Sequence, residues 1–322
     1  MKKRLISLLL ILMLMLSVCA CSSAPEDDGK LNIVCTTFPI YDWTRNVLGN
    51  HASDVELTLL LNSGADLHNY QPSTADLLTL RQCDLFIYIG GESDNWVDNA
   101  LKSAPNENRQ ALALIDSVSL LEHKHEEDHD EHEDHDAGHE HAMDEHIWLS
   151  LKNADTLVSV IAEKLGKADS KNAKDYTANA EEYKAKLNAL DAQYQECVDN
   201  AEDNTLVFAG QFPFLYMAED YKLDCHAATN SCSATLGDSP TRIIELAQIV
   251  QEQDLPAVLL IETTNRSDAE TIIETAGGKE RLILTMDSMQ SVTQERVESN
   301  ITYLQIMESN LSVLQQALSK GE

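Results

Sequence analysis

The chain has 322 residues, and 54 Asp and Glu residues against 23 Lys and Arg residues give it a formal net charge of −31 at pH 7. So acidic a protein has too few cations to neutralise phosphates, which excludes nucleic acid as a partner. The length is sufficient for two globular lobes, each with its own hydrophobic core.

The N-terminal residues are typical of a secretory signal. Cations at positions 2–4 precede an apolar run over residues 5–16, and that run is too short to span a bilayer comfortably. We therefore predict a signal peptide over residues 1–20. An uncleaved membrane anchor is the alternative, and in both cases the body of the protein lies outside the cytoplasm.

A cysteine at the end of the apolar run predicts lipid attachment. Cys21 follows the small residue Ala20, an arrangement that resembles the bacterial lipoprotein box, whereas Cys19 follows the bulkier Val18. We expect Cys21 to carry the lipid, palmitate included, and residues 21–30 to form a flexible tether. The protein would then be extracytoplasmic and anchored to the cell membrane.

Eight apolar runs downstream predict β-strands in two groups of four. Their ranges are 31–36, 55–61, 83–89 and 110–115, followed by 205–209, 223–229, 257–262 and 281–287. Most are almost continuously apolar, as expected for strands buried on both faces of a parallel sheet. Because helical segments fall between them, the pattern predicts an α/β fold with two lobes, each a parallel sheet flanked by helices.

Helix signals define the rest of the organisation. Ser73 to Asp76 has the pattern of a capping box, and Ser239-Pro240 is typical of a helix start. An apolar stripe between about residues 151 and 200 predicts a long rigid helix that joins the lobes. We therefore expect an N-terminal lobe over 31–150, a linking helical segment over 151–200 and a C-terminal lobe over 201–322.

A segment of low complexity lies within the predicted N-terminal lobe. Residues 122–145 contain twelve Asp or Glu residues and seven of the eleven histidines, namely His123, His125, His129, His132, His135, His139 and His141. This composition cannot bury apolar surface and predicts a disordered loop. Imidazole and carboxylate groups together bind zinc, copper or nickel, so the segment indicates loose collection of metal ions.

Several possible metal ligands follow predicted strands. Ligands of open α/β sheets bind beyond the carboxyl ends of the strands. His68 follows the second strand, His146 follows the histidine-rich segment, and Gln211, Glu262 and Asp287 end or follow strands of the second group. Two histidines of one lobe are therefore expected to face oxygen ligands of the other across a cleft.

Two sequence motifs support this site. Residues Gly64 to Ser73, GADLHNYQPS, resemble the Gly-x-x-x-His-x-Tyr-x-Pro-Ser/Thr motif of the metal-binding solute receptors of ABC importers, the cluster A-I type. Residues Asp144 to Leu149, DEHIWL, are similar to the second motif of that family, and segments 90–96 and 284–287 are similar too. Zinc receptors of the family often carry a histidine- and acid-rich insertion before the second ligand, where this chain has one.

The resemblance implies two α/β lobes joined by a rigid helix, with a metal ion in the cleft between them. It implies that His68, His146 and Asp287 bind the metal. The remaining family ligand falls on Gln211, because Phe214 and Tyr216 hold the places that follow it. A glutamine carbonyl is a weak zinc ligand, so Gln211 binds weakly, water replaces it, or Glu262 takes its role.

The functional prediction is a substrate-binding lipoprotein of a metal-ion ABC importer. It would capture Zn²⁺ in the cleft and deliver it to a membrane permease, and it is expected to act as a monomer. A manganese (Mn²⁺) receptor of the same family and a histidine-rich metal buffer or chaperone are the alternatives. An enzyme is not expected, because the sequence has no His-Glu-x-x-His or other catalytic motif.

Overall fold

The first sheet consists of four parallel strands. They are β1 (Leu31–Cys35), β2 (Val55–Leu59), β3 (Leu85–Tyr88) and β4 (Gln110–Ala113). The order is β2-β1-β3-β4, with Ile33 of β1 in register with both Leu57 and Leu85. Since β1 is central, the connections leave it toward opposite sides, which opens a crevice at the carboxyl ends of the strands.

The second sheet repeats this topology. Its strands are β5 (Thr205–Gln211), β6 (Asp224–Thr229), β7 (Ala257–Ile261) and β8 (Leu282–Met286). They are parallel in the order β6-β5-β7-β8. All five residues of β7 are buried, as its unbroken apolar sequence predicts for a strand covered on both faces.

These features come from a computed structural model that describes residues 29–122, 143–229, 240–278 and 280–319. The described residues from Leu31 onward belong to one compact unit. The predicted signal peptide, Cys21 and the seven clustered histidines lie outside the described residues. Within the described ranges, no helix is long and apolar enough to cross a bilayer.

Helices cover the sheets. Those of the first half are α1 (Phe38–Leu48), α2 (Thr74–Gln82) and α3 (Val97–Ser103). The predicted capping box is present, because the Ser73 and Asp76 side chains accept each other's backbone N–H at 3.2 and 2.7 Å. Short 3₁₀ turns over Leu67–Asn69 and Glu92–Asp94 follow β2 and β3. These two turns lie at the site described below.

The segment between the sheets forms two helices, α4 (Leu151–Ala168) and α5 (Ala173–Asp199), which pack against each other. The chain breaks between them where Asp169 accepts hydrogen bonds from Asn172 and Tyr176, both at 2.7 Å. The 27 residues of α5 span about 40 Å and supply the predicted long helix.

Five further helices accompany the second sheet. They are α6 (Leu215–Tyr221), α7 (Pro240–Glu252), α8 (Arg266–Thr275), α9 (Gln294–Glu298) and α10 (Tyr303–Leu318). The Tyr194 hydroxyl of α5 donates to the carbonyl of Met307 on α10 at 2.6 Å, which ties the linking segment to the C-terminal helix. The predicted α/β fold of two parallel sheets is therefore confirmed.

Candidate metal centre

His68 lies on the 3₁₀ turn that follows β2. Asp66 caps this turn, since its Oδ1 accepts the backbone N–H of His68 at 2.9 Å. The neighbouring Leu67 is buried in the hydrophobic core. A capped turn with a buried anchor on one side and a half-buried histidine on the other fixes the direction of the imidazole.

His146 lies directly before a 3₁₀ turn over Ile147–Leu149 that leads into α4. All three residues of the turn are buried, and His146 itself is only 1% exposed. Asp144 Oδ1 accepts the backbone N–H of His146 at 2.7 Å and lies 3.1 Å from its Nδ1. One carboxylate therefore holds both the backbone and the ring of this histidine.

The structure brings the two histidine rings together. Their centroids are 5.4 Å apart, with an interplanar angle of 60°. The two motifs that predict this pairing lie far apart in the sequence. The turn after β2 positions His68, and the turn before α4 positions His146 beside it. Two imidazoles at this separation can share one metal ion.

Hydrogen bonds determine the proton position on His68. The Ser93 hydroxyl lies 2.7 Å from His68 Nδ1 and donates its one hydrogen to Glu145, whose ionised carboxylate can only accept. The Ser93 oxygen therefore accepts a hydrogen bond from Nδ1–H, and the lone pair of His68 is on Nε2. Among the described residues, Nε2 of His68 is buried and has no hydrogen-bond partner.

The same argument applies to His146. Because Asp144 Oδ1 lies against Nδ1, that nitrogen carries the hydrogen and Nε2 carries the lone pair. Each histidine is thus held through Nδ1 by a carboxylate, directly for His146 and through Ser93 for His68. This is the arrangement that orients metal-binding histidines in proteins.

Glu145 is a buried carboxylate at the centre of these contacts. Burial opposes its ionisation, but hydrogen bonds from His68 and Ser93 outweigh burial and hold the pKa of Glu145 below its ordinary value. The backbone N–H of Ser93 also donates to Glu145 at 2.9 Å. Glu145 is therefore an ionised acceptor at neutral pH.

Gly91 allows this carboxylate to approach the backbone. It has a φ of +87°, and a Cβ placed there would lie 2.5 Å from Glu145 Oε2 and 2.8 Å from its Cβ. Both the conformation and the space require glycine.

Asp94 is a second buried carboxyl group near this turn. Burial raises the pKa of Asp94 to about 7, although the Gly90 backbone N–H donates to it at 2.8 Å.

Gln290 faces His146 from the second half of the chain. Its side-chain nitrogen lies 2.7 Å from His146 Nε2, and the residue is only 2% exposed. Gln290 is not among the residues predicted from the sequence. It lies in the loop after β8, and no motif marks it, so only the folded structure identifies its position.

Glu262 holds the loop that carries Gln290. Its carboxylate accepts the Ser288 backbone N–H at 2.7 Å, the Ser288 hydroxyl at 2.8 Å and the Gln290 backbone N–H at 3.2 Å. Burial, followed by the nearby charge of Asp287, raises the pKa of Glu262. In this structure the carboxylate of Glu262 therefore contacts the backbone and Ser288, and it positions the loop.

Asp287 lies in the same loop, and its carboxylate contacts other groups. Its Oδ2 pairs with Arg296 at 2.6 Å, and its Oδ1 accepts the Met289 backbone N–H at 2.9 Å. The buried side chain of Asn310 holds the Asp287 backbone through two hydrogen bonds of 2.8 Å. Asp287 is thus at the predicted end of β8, with its charge offset by an arginine.

Gln211 is the last residue of β5, which continues two residues beyond the predicted strand over 205–209. It lines a cleft of about 740 Å³ whose walls also include Asp66 from the loop before His68, and Thr229 and Thr264 from the second sheet. His226, a further histidine of the second half, lies within β6 and pairs with Asp224 at 3.3 Å.

Within the described ranges, no three His, Cys, Asp or Glu residues lie close enough together to hold a metal ion. The structure thus brings together His68 and His146. The carboxylate of Asp287 contacts Arg296 and the backbone, and the carboxylate of Glu262 contacts Ser288 and the backbone. The contribution of Asp287, Gln211 and Glu262 as ligands stays a prediction.

One boundary predicted from the sequence is wrong. The disordered loop is expected to run to Glu145, but Asp144 and Glu145 are 1% and 5% exposed and belong to the site. An antiparallel bridge between Glu122 and Met143 closes the segment before them. Acidic composition misassigns these two residues, whereas their position directly before His146 is the signal that identifies them.

Comparison with known proteins agrees with this architecture. Residues 33–317 match the family described as ZnuA, zinc-uptake complex component A, periplasmic. The zinc-binding lipoprotein AdcA of Streptococcus pneumoniae is 31% identical over 317 residues, covering 98% of this chain and 61% of AdcA. This chain thus spans about three fifths of the length of AdcA.

Two further comparisons cover nearly whole chains. The high-affinity zinc uptake system protein ZnuA of Bacillus subtilis is 28% identical over 296 residues, which are 92% of this chain and 90% of that protein. The Zn(II)-bound ZnuA-like domain of S. pneumoniae AdcA superimposes with a TM-score of 0.72 at 27% identity, covering 91% of this chain and all of that domain. The chain therefore belongs to the ZnuA family of zinc-uptake components, the metal-binding solute receptors of ABC importers that its motifs resemble.

Proposed function

We propose that this protein is an extracytoplasmic receptor that captures Zn²⁺ between His68 and His146 and delivers it to the permease of an ABC importer. The observation that supports this most is the orientation of the two imidazoles. The Nδ1 of His146 is hydrogen-bonded to the Asp144 carboxylate, and the Nδ1 of His68 is linked to the Glu145 carboxylate through Ser93. The lone pair of each ring is therefore on Nε2. Zinc requires the neutral imidazole lone pair as its ligand.

The choice of zinc over manganese rests on ligand chemistry. Imidazole nitrogens suit zinc, while manganese prefers oxygen-rich ligand sets. The structure places two imidazoles together at the site, with their ring centroids 5.4 Å apart. Relatives named for zinc, among them AdcA and the B. subtilis protein, support the same choice.

The second half of the chain supplies the other side of the proposed site. The loops 63–67 and 290–293 are joined by two backbone hydrogen bonds of 3.2 Å, from Gly64 to Val292 and from Leu67 to Gln290. Asp287, Gln211 and Glu262 of the second half remain the ligand candidates from the family resemblance. Delivery of the metal would require these loops to separate at the permease.

We further propose that the protein acts at the membrane surface, attached through Cys21. The name of the AdcA relative as a lipoprotein supports this anchoring. The histidine-rich segment over 123–142 would bind metal loosely and raise its local concentration near the cleft. In this proposal the protein binds and transfers the ion and catalyses no reaction.

A pair of variants tests the proposal. Deletion of residues 123–142 should leave one tight zinc site per chain, measured by titration against a competing chelator, with weaker binding of manganese. His68→Ala in this background should weaken zinc binding by roughly 100-fold or more, because loss of an orienting partner alone costs about 10–100-fold. His51→Ala, a histidine before the opposite end of β2 that pairs with Asp175, is the matched control.

Two outcomes would contradict the proposal. Loss of tight binding on deletion of residues 123–142 would make the protein a metal buffer that uses the histidine-rich segment alone. Unchanged affinity of the His68→Ala variant would show that the metal binds elsewhere.

A further inference from the structure

We propose that an enclosed cavity beside Glu145 binds one ordered water molecule, which joins Thr37 and Asp94 to the Glu145 carboxylate. The water site stands on the cavity itself, whereas its effect on zinc binding rests on the proposed function. Thr37 lies outside both sequence motifs, and this proposal makes it a positioning residue for His68. It acts through the water and Glu145 and does not touch the metal.

The cavity lies beside the 3₁₀ turn that follows β3. Its walls include Thr37 from the start of α1, Ser93 and Asp94 from that turn, and Glu145. Seven of its ten described lining residues are buried and the other three are half-buried, so the cavity is largely closed to bulk solvent. About 10 Å³ is open to the centre of a water molecule. One water needs about 10–15 Å³, so the size fits one water and no larger ligand.

Thr37 supplies a hydroxyl that needs a partner. The residue is 5% exposed, and its Oγ1 is buried and has no hydrogen-bond partner among the described residues. Thr37 is the N-cap of α1, but its side chain makes no capping hydrogen bond. A buried hydroxyl without a partner costs about 1–3 kcal/mol, so such groups are uncommon in native structures. A water molecule in the cavity would accept the hydrogen of this hydroxyl.

Two carboxyl groups complete the set of partners. Asp94 and Glu145 both line the cavity. Burial raises the pKa of Asp94, and the nearby charge of Glu145 raises it further, which shows that the two groups lie near each other. When both are ionised, both are acceptors, and neither can donate to the other. A molecule that lies between them must therefore donate in two directions.

Water matches these three partners. Its two hydrogens can donate to the two carboxylates while its oxygen accepts from the Thr37 hydroxyl. The resulting three hydrogen bonds are the usual number for a buried water molecule. Ser93 cannot take this place, because its hydroxyl hydrogen and its backbone N–H already donate to Glu145.

The water would act on His68 through Glu145. The Glu145 carboxylate accepts from Ser93, whose hydroxyl lies 2.7 Å from Nδ1 of His68. A further donor on the side of Thr37 fixes the direction of this carboxylate and favours its ionised form. The hydrogen of His68 then stays on Nδ1, and the lone pair on Nε2 stays available for the metal.

A cation is the alternative occupant, since two carboxylates and a hydroxyl attract one. Hard cations such as magnesium and calcium take six or more oxygen ligands. The other described walls of the cavity are mainly apolar side chains, among them Leu61, Ile89 and Trp148. The polar side chains are too few for such a cation, and their number and chemistry favour water.

The first test is a crystal structure of the full chain at a resolution that shows ordered water. One water should lie in the cavity, about 2.7–3.0 Å from Thr37 Oγ1 and from a carboxylate oxygen of both Asp94 and Glu145. An empty cavity would overturn the proposal. Contacts of about 2.0–2.6 Å would also overturn it, because they indicate a metal cation.

The second test is zinc titration in the chain that lacks residues 123–142. Thr37→Val keeps the shape of the side chain and removes the hydroxyl. It should weaken binding about threefold or more, a smaller loss than the roughly 10–100-fold for a direct orienting partner. Thr37→Ser retains the hydroxyl and should bind zinc like the parent. Thr36→Val is the matched control, because Thr36 Oγ1 is also buried without a partner among the described residues, and Thr36 is not among the described walls of the cavity.

Urea unfolding checks that each variant folds, and Thr37→Ala, which also lacks the hydroxyl, replaces a Thr37→Val variant that does not fold. Unchanged affinity in the variant without the hydroxyl, or an equal loss in Thr36→Val, would overturn the positioning role of Thr37. Both results leave the proposed function intact, because the parent still binds zinc through His68. Absence of tight, His68-dependent binding in the parent would instead contradict the proposed function, and the crystal structure would still decide the water site.

Discussion

His68 and Glu145 are joined by one hydroxyl group. The Nδ1 of His68 lies 3.3 Å from Glu145 Oε1, and the Ser93 hydroxyl is hydrogen-bonded to both. The residue directly before one proposed metal ligand, His146, thus orients the other. The two histidines are therefore coupled through the backbone at residues 145–146.

The first prediction concerns this coupling. Glu145→Gln should weaken zinc binding about 10–100-fold, because an amide can donate to Ser93 and no longer requires the Nδ1–H tautomer of His68. Chelator competition measures the affinity. The exposed Glu92, on the same 3₁₀ turn as Ser93, supplies the control variant Glu92→Gln. Equal affinity of the two variants would exclude Glu145 as an orienting group.

The second prediction tests the close approach at Gly91. Gly91→Ala should destabilise the protein and weaken zinc binding, since its Cβ would meet the Glu145 side chain at 2.5 Å. Gly278 has a similar positive φ of +64°, and a Cβ added there would meet no atom within 4 Å. Gly278→Ala should therefore cost only the backbone strain of about 1–2 kcal/mol. Chemical unfolding and zinc titration of both variants provide the comparison, and equal losses would contradict the steric argument.

Much of the fold could be predicted because burial leaves a direct trace in the sequence. The apolar runs around Val258 and Phe86 mark strands covered on both faces, and a parallel sheet needs such runs. The capping box at Ser73 can also be predicted, because its two residues are only three positions apart in the sequence. The break at Asp169 that divides the linking segment into α4 and α5 cannot be predicted in this way, because an apolar stripe continues on both sides of it.

The site could be predicted only in part. His68 and His146 stand in motifs, whereas Ser93 and Gln290 act through contacts with residues 25 and 144 positions away. Such contacts leave no periodicity or spacing in the chain. Composition places Glu145 in a disordered acidic loop, because it does not distinguish a solvated carboxylate from one buried against an imidazole.

The third prediction is a pH dependence of stability. Burial raises the pKa of Asp94 to about 7, whereas an unfolded chain has an Asp pKa of about 3.9. Between these values the folded protein binds more protons, so this group lowers the free energy of unfolding as the pH rises, by up to about 1.4 kcal/mol per pH unit. Above pH 7 the contribution is constant.

Asp94→Asn removes this titration. The stability of the variant relative to the parent should therefore increase from pH 4 to pH 7 and then level off, as measured by urea unfolding at several pH values. Asp98→Asn, at an exposed position of α3, is the matched control. A difference for Asp94→Asn that does not change with pH would show that the Asp94 carboxyl titrates alike in the folded and unfolded states.

The fourth prediction concerns the contact between α6 and the His146 loop. The Tyr216 hydroxyl donates to the Asp144 carbonyl at 2.7 Å and accepts the Leu121 backbone N–H at 3.3 Å. It thus bridges both ends of the segment 122–143 and fixes the residue that orients His146. Tyr216→Phe should lower the free energy of unfolding by about 1–3 kcal/mol, because the buried Asp144 carbonyl and the partly buried Leu121 N–H lose a partner.

The same variant should also weaken zinc binding several-fold, since Asp144 holds the His146 ring through Oδ1. Urea unfolding and chelator competition measure the two effects. Tyr41→Phe, at a half-buried position of α1, is the matched control and should change neither quantity appreciably. If Tyr216→Phe lowers stability and leaves the affinity unchanged, the bridge supports only the fold, because Asp144 then keeps the imidazole oriented without it.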